Sequence, residues 1–232
     1  MNVQLRIQRY DPDADMRPHW ETYPLEANPR ERVLDLLHRV KDEIDGSLTF
    51  RRSCGHGVCG SDALEINGHN RLACKTLVMQ VGTTISVGPL PALPLIKDLV
   101  VDLDGFFERH RSVRPWFIND APPPARERAQ DPAQRALIEE TSRCILCAAC
   151  TSSCPSFWAQ RSYVGPAAIV QADRFIFDSR DTGGAERLDI LADRSGVWHC
   201  RTIFNCVDAC PVGIDVTRAI LEVTGAILER AS

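Results

Sequence analysis

Apolar and polar residues alternate from Val3 to Arg9, the period of a strand with one buried face. Trp20 to Ala27 form a second extended run after a turn containing Pro and Asp, and the pair predicts an opening hairpin. From Pro29 the period changes to that of a helix: Val33, Leu36, Leu37, Val40 and Ile44 fall on one stripe, and Gly46 ends it. The Asn67-Gly68 pair between Ala63 to Ile66 and Arg71 to Lys75 predicts a short hairpin. Thr84 to Val87 supplies a further strand, and Leu99 to Leu103 closes the set. Beyond Asp104 the pattern is helical, over Phe106 to Val113, Pro132 to Arg143, Gly165 to Phe177, Glu186 to Arg194 and Val216 to Glu229. Ala121-Pro-Pro-Pro124 is a stiff link between the first two helices. The expectation is an α+β chain of two domains, strands with one helix across them over residues 1–103 and an all-α domain over 104–232.

Composition narrows the functional classes. The 232 residues carry a formal net charge of -4, which argues against nucleic acid as a partner. No run approaches the eighteen or more apolar residues of a membrane span. Nor does an apolar segment with a basic start open the chain, so nothing points to an oxidising compartment or a disulfide framework for its ten cysteines.

Those cysteines fall into three clusters. Cys144, Cys147, Cys150 and Cys154, followed by Pro155, make CxxCxxCxxxCP; Cys200, Cys206 and Cys210 with Pro211 repeat that spacing, with Ile203 in place of the second cysteine. In two-cluster ferredoxins the fourth cysteine of each run ligates the other cluster. The crossing joins Cys144, Cys147, Cys150 and Cys210 around a 4Fe-4S cluster. It leaves Cys154, Cys200 and Cys206 around the second, where the apolar Ile203 cannot bind iron, and predicts 3Fe-4S there.

Cys54, Cys59, Asp62 and the distant Cys74 follow the plant-type 2Fe-2S spacing CxxxxCxxC…C, with Asp62 at the third position. A carboxylate is a harder ligand than a thiolate but carries the same charge and can bind ferric iron. Glycines at 55, 57 and 60 suit a loop that turns backbone N–H groups toward sulfur. With this loop after the helix, the first domain has the β-grasp layout of plant-type ferredoxins. Zinc is the competing reading of any cysteine quartet, but a zinc site has no use for the third evenly spaced thiol of CxxCxxC. For Asp62 the plain alternative is a loop aspartate capping a turn. His56 and His199 lie beside ligand positions already filled and read as loop residues.

The three motifs in this order closely resemble the iron-sulfur subunit of succinate dehydrogenase, respiratory complex II, and its relative fumarate reductase. Leu48-Thr-Phe-Arg-Arg-Ser-Cys54, Asn70-Arg-Leu-Ala-Cys74, Lys97-Asp-Leu-Val-Val, Gly165-Pro-Ala-Ala and Arg174-Phe-Ile-Phe-Asp-Ser-Arg-Asp181 carry the resemblance across nearly the whole chain. It implies a flavoprotein partner holding FAD, membrane anchor subunits, often with haem b, and a peripheral place on the cytoplasmic face of a bacterial inner membrane. It implies electrons passing singly through the three clusters to a quinone near the 3Fe-4S site, with the carbon chemistry left to the flavoprotein. Pro155, Ser156, Trp158, Arg201 and Ile203 match the quinone region. Ubiquinone-reducing relatives usually follow Trp158 with a second Trp and place a His where Arg201 stands; the smaller Ala159 leaves room for the larger ring of menaquinone. Arg201 would then donate to a quinone carbonyl or haem propionate. A quinol:fumarate reductase subunit, a freestanding multi-cluster carrier and a zinc-stabilised interaction module are the rival readings.

Overall fold

The computed structural model describes residues 1–231, and they form two compact units. Met1–Leu103 and Ile145–Ser153 make the first; Asp104–Cys144 and the chain from Cys154 onward make the second. The segment Ile145–Ser153, placed by its sequence within the helical domain, thus packs with the strands.

The first unit is built on a five-stranded mixed sheet of β1 (Asn2–Arg9), β2 (His19–Glu26), β3 (Ala63–Ile66), β4 (His69–Leu72) and β5 (Thr84–Gly88), in the order β2-β1-β5-β3-β4. β1 runs antiparallel to β2 and parallel to β5, and β3 is antiparallel to β4 and β5. Alternation in β1 sends Val3, Leu5 and Ile7 into the core with no exposed surface. With one helix beside the sheet this is the β-grasp arrangement. Asn67 and Gly68 both adopt positive φ, 49° and 76°, the turn that matches the twist of a two-residue hairpin.

The helix spans Val33–Arg39 rather than starting at Pro29, because the Asn28 side chain accepts the Arg30 N–H and holds residues 28–31 in a turn. Val33, Leu34, Leu36, Leu37 and Val40 are buried, but Ile44 is 54% exposed. The reason is local. Val40–Ile44 widens into a π turn, closed by Asp45 N–H to Val40 O at 2.7 Å, which rotates Ile44 off the stripe.

The strand expected over Leu99–Leu103 shrinks to β7 (Val100–Val101), which pairs with β6 (Leu95–Lys97) in a separate two-stranded sheet. Asp98 turns the chain there with φ 47°. Its buried carboxylate accepts from Arg9 Nε (3.0 Å), Tyr10 N–H (3.0 Å) and Thr49 N–H (2.8 Å). Arg9 also meets Glu21, Asp45, Ser47 and Tyr23, so its buried charge is balanced on every side.

In the second unit the long helices are Asp104–Ser112, Pro132–Glu139, Pro166–Ile176, Gly184–Ala192 and Val216–Ala231. The Pro166–Ile176 helix is the central one, burying nine of its residues. Arg187 is fully buried: it pairs with the equally buried Asp181 at 2.7 Å and donates to the carbonyls of Arg114 (3.0 Å) and Trp116 (2.7 Å). That clamp ties the 114–118 segment to the helices. Among the described residues no helix is long and apolar enough to cross a membrane.

Candidate metal centres

The loop from Cys54 to Asp62 precedes β3 and curls around sulfur. Cys54 Sγ accepts the N–H groups of His56 (3.5 Å), Val58 (3.4 Å) and Cys59 (3.3 Å), and Cys59 Sγ accepts that of Cys54 (3.4 Å). Gly55, Gly57 and Gly60 adopt φ of 70°, 83° and 69°, a region that costs an L residue about 1–2 kcal/mol. The converging N–H groups, His56 first, hold the Cys54 thiol down at about 6, favouring the thiolate that iron needs. His56 itself turns away, with Nδ1 2.6 Å from Cys54 O.

Asp62 is 2% exposed, and its Oδ2 accepts the Cys74 N–H at 2.5 Å. Burial, then the adjoining Asp62 carboxylate, push the buried Cys74 thiol up to about 12. A cation between the Cys74 sulfur and the Asp62 carboxyl would reverse that and favour the thiolate. The donor set therefore fits a ferric centre at the Cys54, Cys59, Asp62 and Cys74 positions.

A Cβ on Gly60 would lie 2.7 Å from Cys147 Cβ and 3.2 Å from Ile145 O, so the loop passes directly over the 145–153 segment. Asn70 secures the same segment from β4, donating to Ala149 O (3.0 Å) and Ser152 Oγ (2.7 Å). Gly60→Ala is expected to combine a left-handed backbone penalty with overpacking, about 2–4 kcal/mol in all. Urea denaturation of the intact protein, followed with 2Fe-2S visible absorption, checks it; an unchanged midpoint would contradict the close approach.

The two repeated motifs share a backbone as well as a spacing. Each is entered by a 3₁₀ turn, Thr141–Arg143 or Val197–His199, capped by Cys144 N–H to Thr141 O (3.2 Å) or Cys200 N–H to Val197 O (3.0 Å). Leu146 and Ala148 have φ of 54° and 64°; Thr202 and Phe204, at the equivalent positions, have 49° and 69°. Each then runs into a single helical turn, Ala149–Ser152 or Asn205–Asp208. Ile203 thus occupies the backbone place of Cys147. Four non-glycine residues in left-handed conformation store about 1–3 kcal/mol each, which the surroundings must hold.

Cys154, Cys200 and Cys206 come together at one shallow cleft in the second unit, which Pro155, Ser156, Arg201 and Ile203 also line. Burial raises the thiols of Cys154 and Cys206, and the neighbouring cysteines raise them further. Ile203 reaches this cleft yet stays 50% exposed. Trp158 does not line it; it stands half exposed on the Pro155–Ala159 helix. The Arg201 guanidinium donates to the carbonyls of Trp198 (2.8 Å) and Cys200 (3.3 Å) of its own loop. Tyr163 lines the cleft without exposed surface, its ring 5.5 Å from that of His199; no motif spacing marked it.

Cys144 and Cys210 lie in the second unit, Cys147 and Cys150 in the segment that packs with the first. Cys210 Sγ accepts the Ile214 N–H at 3.3 Å. Glu140 accepts the Asp215 N–H and pairs with Arg218 at 2.6 Å, bracing the chain before Cys144 against the chain after Cys210. Among the described residues no three His, Cys, Asp or Glu side chains could hold a single metal ion. Cluster ligation requires only one thiolate per iron, so the sulfurs need not converge on one point.

A β-grasp sheet with a glycine-rich cysteine loop, a helical unit, and two cysteine loops of matched backbone further along the chain define an iron-sulfur electron-transfer protein of the ferredoxin class. A 2Fe-2S iron-sulfur cluster binding domain matches residues 4–108, and a 4Fe-4S dicluster domain matches residues 136–211. The succinate dehydrogenase iron-sulfur subunit of Paracoccus denitrificans is 40% identical over 98% of this chain and 88% of its own length. Succinate dehydrogenase [ubiquinone] iron-sulfur subunit 1, mitochondrial, of Oryza sativa subsp. japonica is 45% identical over 92% of this chain and 78% of its own. A chain of the Mycobacterium smegmatis Sdh1 complex in the apo form superposes with a TM-score of 0.85 at 27% identity, covering 99% of this chain and 96% of that one. The chain belongs to the family of succinate dehydrogenase iron-sulfur subunits. It is an electron-transfer subunit of that oxidoreductase, with 2Fe-2S and 4Fe-4S domains.

Proposed function

We propose that this chain carries single electrons from an FAD flavoprotein partner to a membrane quinone through three centres. Cys54, Cys59, Asp62 and Cys74 hold the 2Fe-2S cluster; Cys144, Cys147, Cys150 and Cys210 hold the 4Fe-4S cluster; Cys154, Cys200 and Cys206 hold a 3Fe-4S cluster. The clusters supply one-electron redox chemistry, and cluster type with its surrounding hydrogen bonds sets each potential. The protein aims N–H groups at Cys54, Cys59 and Cys210, buries Cys206 and partly buries Cys154.

The observation that carries the reading is the matched backbone of the two motifs, with an aliphatic Ile203 where the other presents Cys147. Pro155, Ser156, Arg201 and Ile203 line the cleft beside the three remaining thiols, and the exposed Trp158 flanks it, which supports a quinone site there. The small Ala159 supports menaquinone as the acceptor. Anchor subunits, holding any haem b, keep the chain peripheral on the cytoplasmic face of the inner membrane.

Low-temperature EPR on the isolated complex tests the assignment. Two or four irons in the oxidised resting state have an even electron count, whereas three ferric irons leave one spin unpaired. An oxidised-state signal that disappears on mild reduction is expected. Its absence, with iron present, would reject the three-iron site.

A further inference from the structure

We infer that Asp173 is a redox-linked proton site, gaining a proton from solvent when the cluster held by Cys144 takes an electron and returning it on reoxidation. The inference rests on Cys144 as a ligand of the four-iron cluster. Asp173 lies on the Pro166–Ile176 helix with no exposed surface, and neither carboxyl oxygen has a hydrogen-bond partner. Burial outweighs what the Thr141 side chain and Arg218 offer an ionised carboxyl here, so the neutral form is favoured.

The charges around it reinforce this. From the Val216–Ala231 helix Arg218 and Glu222 face it, and from the end of the Pro132–Glu139 helix Glu140 does. Both arms of Arg218 are committed, one to Glu222 and one to Glu140, each at 2.6 Å. An ionised Asp173 would add a third negative charge beside Glu140 and Glu222, where the cations are Arg218 and, acting on Glu140, Arg143. The other packed helices bring it no compensation. His110 of the Asp104–Ser112 helix responds to burial and Arg111, Arg187 of the Gly184–Ala192 helix is paired with Asp181, and Arg174 on its own helix lies over Phe175. Burial is the main cause that holds the Asp173 carboxyl up at about 7, where its proton exchanges at physiological pH.

The link to iron runs through Thr141. Its side chain lies toward Asp173 while its hydroxyl donates to Ile138 O at 3.5 Å, and its carbonyl accepts the Cys144 N–H at 3.2 Å. An electron added to a cluster ligated by Cys144 adds negative charge beyond the Thr141 link, which raises the proton affinity of the carboxyl. Charge balances as one electron from the upstream centre and up to one proton from water, which forms the O–H bond on Asp173.

Potentiometric EPR titration of the four-iron cluster in the intact complex, at several values across about pH 6–8, tests this. In the wild type the midpoint potential is expected to fall with pH by a fraction of the ~59 mV per tenfold change in proton concentration that full one-electron, one-proton coupling gives. Asp173→Asn, which keeps the shape and removes the titration, is expected to flatten that slope. A flat wild-type response, or equal slopes in both proteins, would overturn the inference. Reduced-minus-oxidised infrared difference spectra of the wild type read the same event without a variant: a protonated-carboxyl C=O band must grow on reduction, and its absence counts against the proposal. A complex without any four-iron signal would instead remove the ligand assignment beneath it.

Discussion

Stripping iron from the isolated complex with a chelator under reducing conditions is expected to unfold the second unit while much of the β-grasp sheet survives. Ligation free energy is folding free energy in such sites, and structural metal centres contribute on the order of 10 kcal/mol. The second unit has little to replace it. Its cysteines sit in loops, and Thr202 and Phe204 hold left-handed backbones that relax once nothing pulls on Cys200 and Cys206. The sheet, by contrast, has Val3, Leu5, Ile7, Ile66, Ile85 and Val87 fully buried between paired strands. Hydrogen exchange by mass spectrometry separates the outcomes: protection should vanish along 166–176 and 216–231 and persist in 2–9 and 84–88. Persistent protection along 166–176 in the iron-free protein would show that the helices pack without the clusters.

Ile203→Cys is expected to convert the second cluster to four irons. The residues on either side of Ile203 share the left-handed conformation of those flanking Cys147, so a thiol placed there has the local backbone of a ligand. The oxidised-state EPR signal should be lost and a reduced-state signal appear at lower potential, since cluster type sets potential over hundreds of mV. Electron delivery to quinone should then fall by at least tenfold, because each ~59 mV of potential lost at the last centre shifts that equilibrium tenfold. Succinate oxidation with an artificial acceptor at the flavoprotein should continue. Assaying wild type and variant with menaquinone and ubiquinone analogues side by side also reads acceptor preference, and faster reduction of ubiquinone by the wild type would reject the menaquinone proposal. Retention of the oxidised-state signal in the variant would show that Ile203 does not occupy a ligand corner.

Much of this chain was legible because its chemistry is written in spacing. Cys144 to Cys154 and Cys200 to Cys210 announce their loops at any solvent exposure, and the alternation of Val3 to Arg9 and the Asn67-Gly68 pair describe local geometry that the fold keeps. What spacing misses is tertiary. Ile44 lies on the helical stripe until a π turn rotates it into solvent. The clamp of Arg187 on Asp181 and two distant carbonyls reads in sequence as ordinary surface charge. Tyr163 reaches its cleft, and Asp173 its acidic neighbours, through packing that no periodicity encodes.

The embrace of the 145–153 segment by Gly60 and Asn70 bears on how the protein is made. Strands and loop are translated by residue 103, but the Asn70 amide and the tight surface at Gly60 find their partners only after Ser152 has emerged. On the ribosome the amino-terminal module must therefore wait, incomplete, for a strip of chain encoded about forty residues further on. A gene fragment ending at the apparent module boundary would express a sheet lacking one of its own walls.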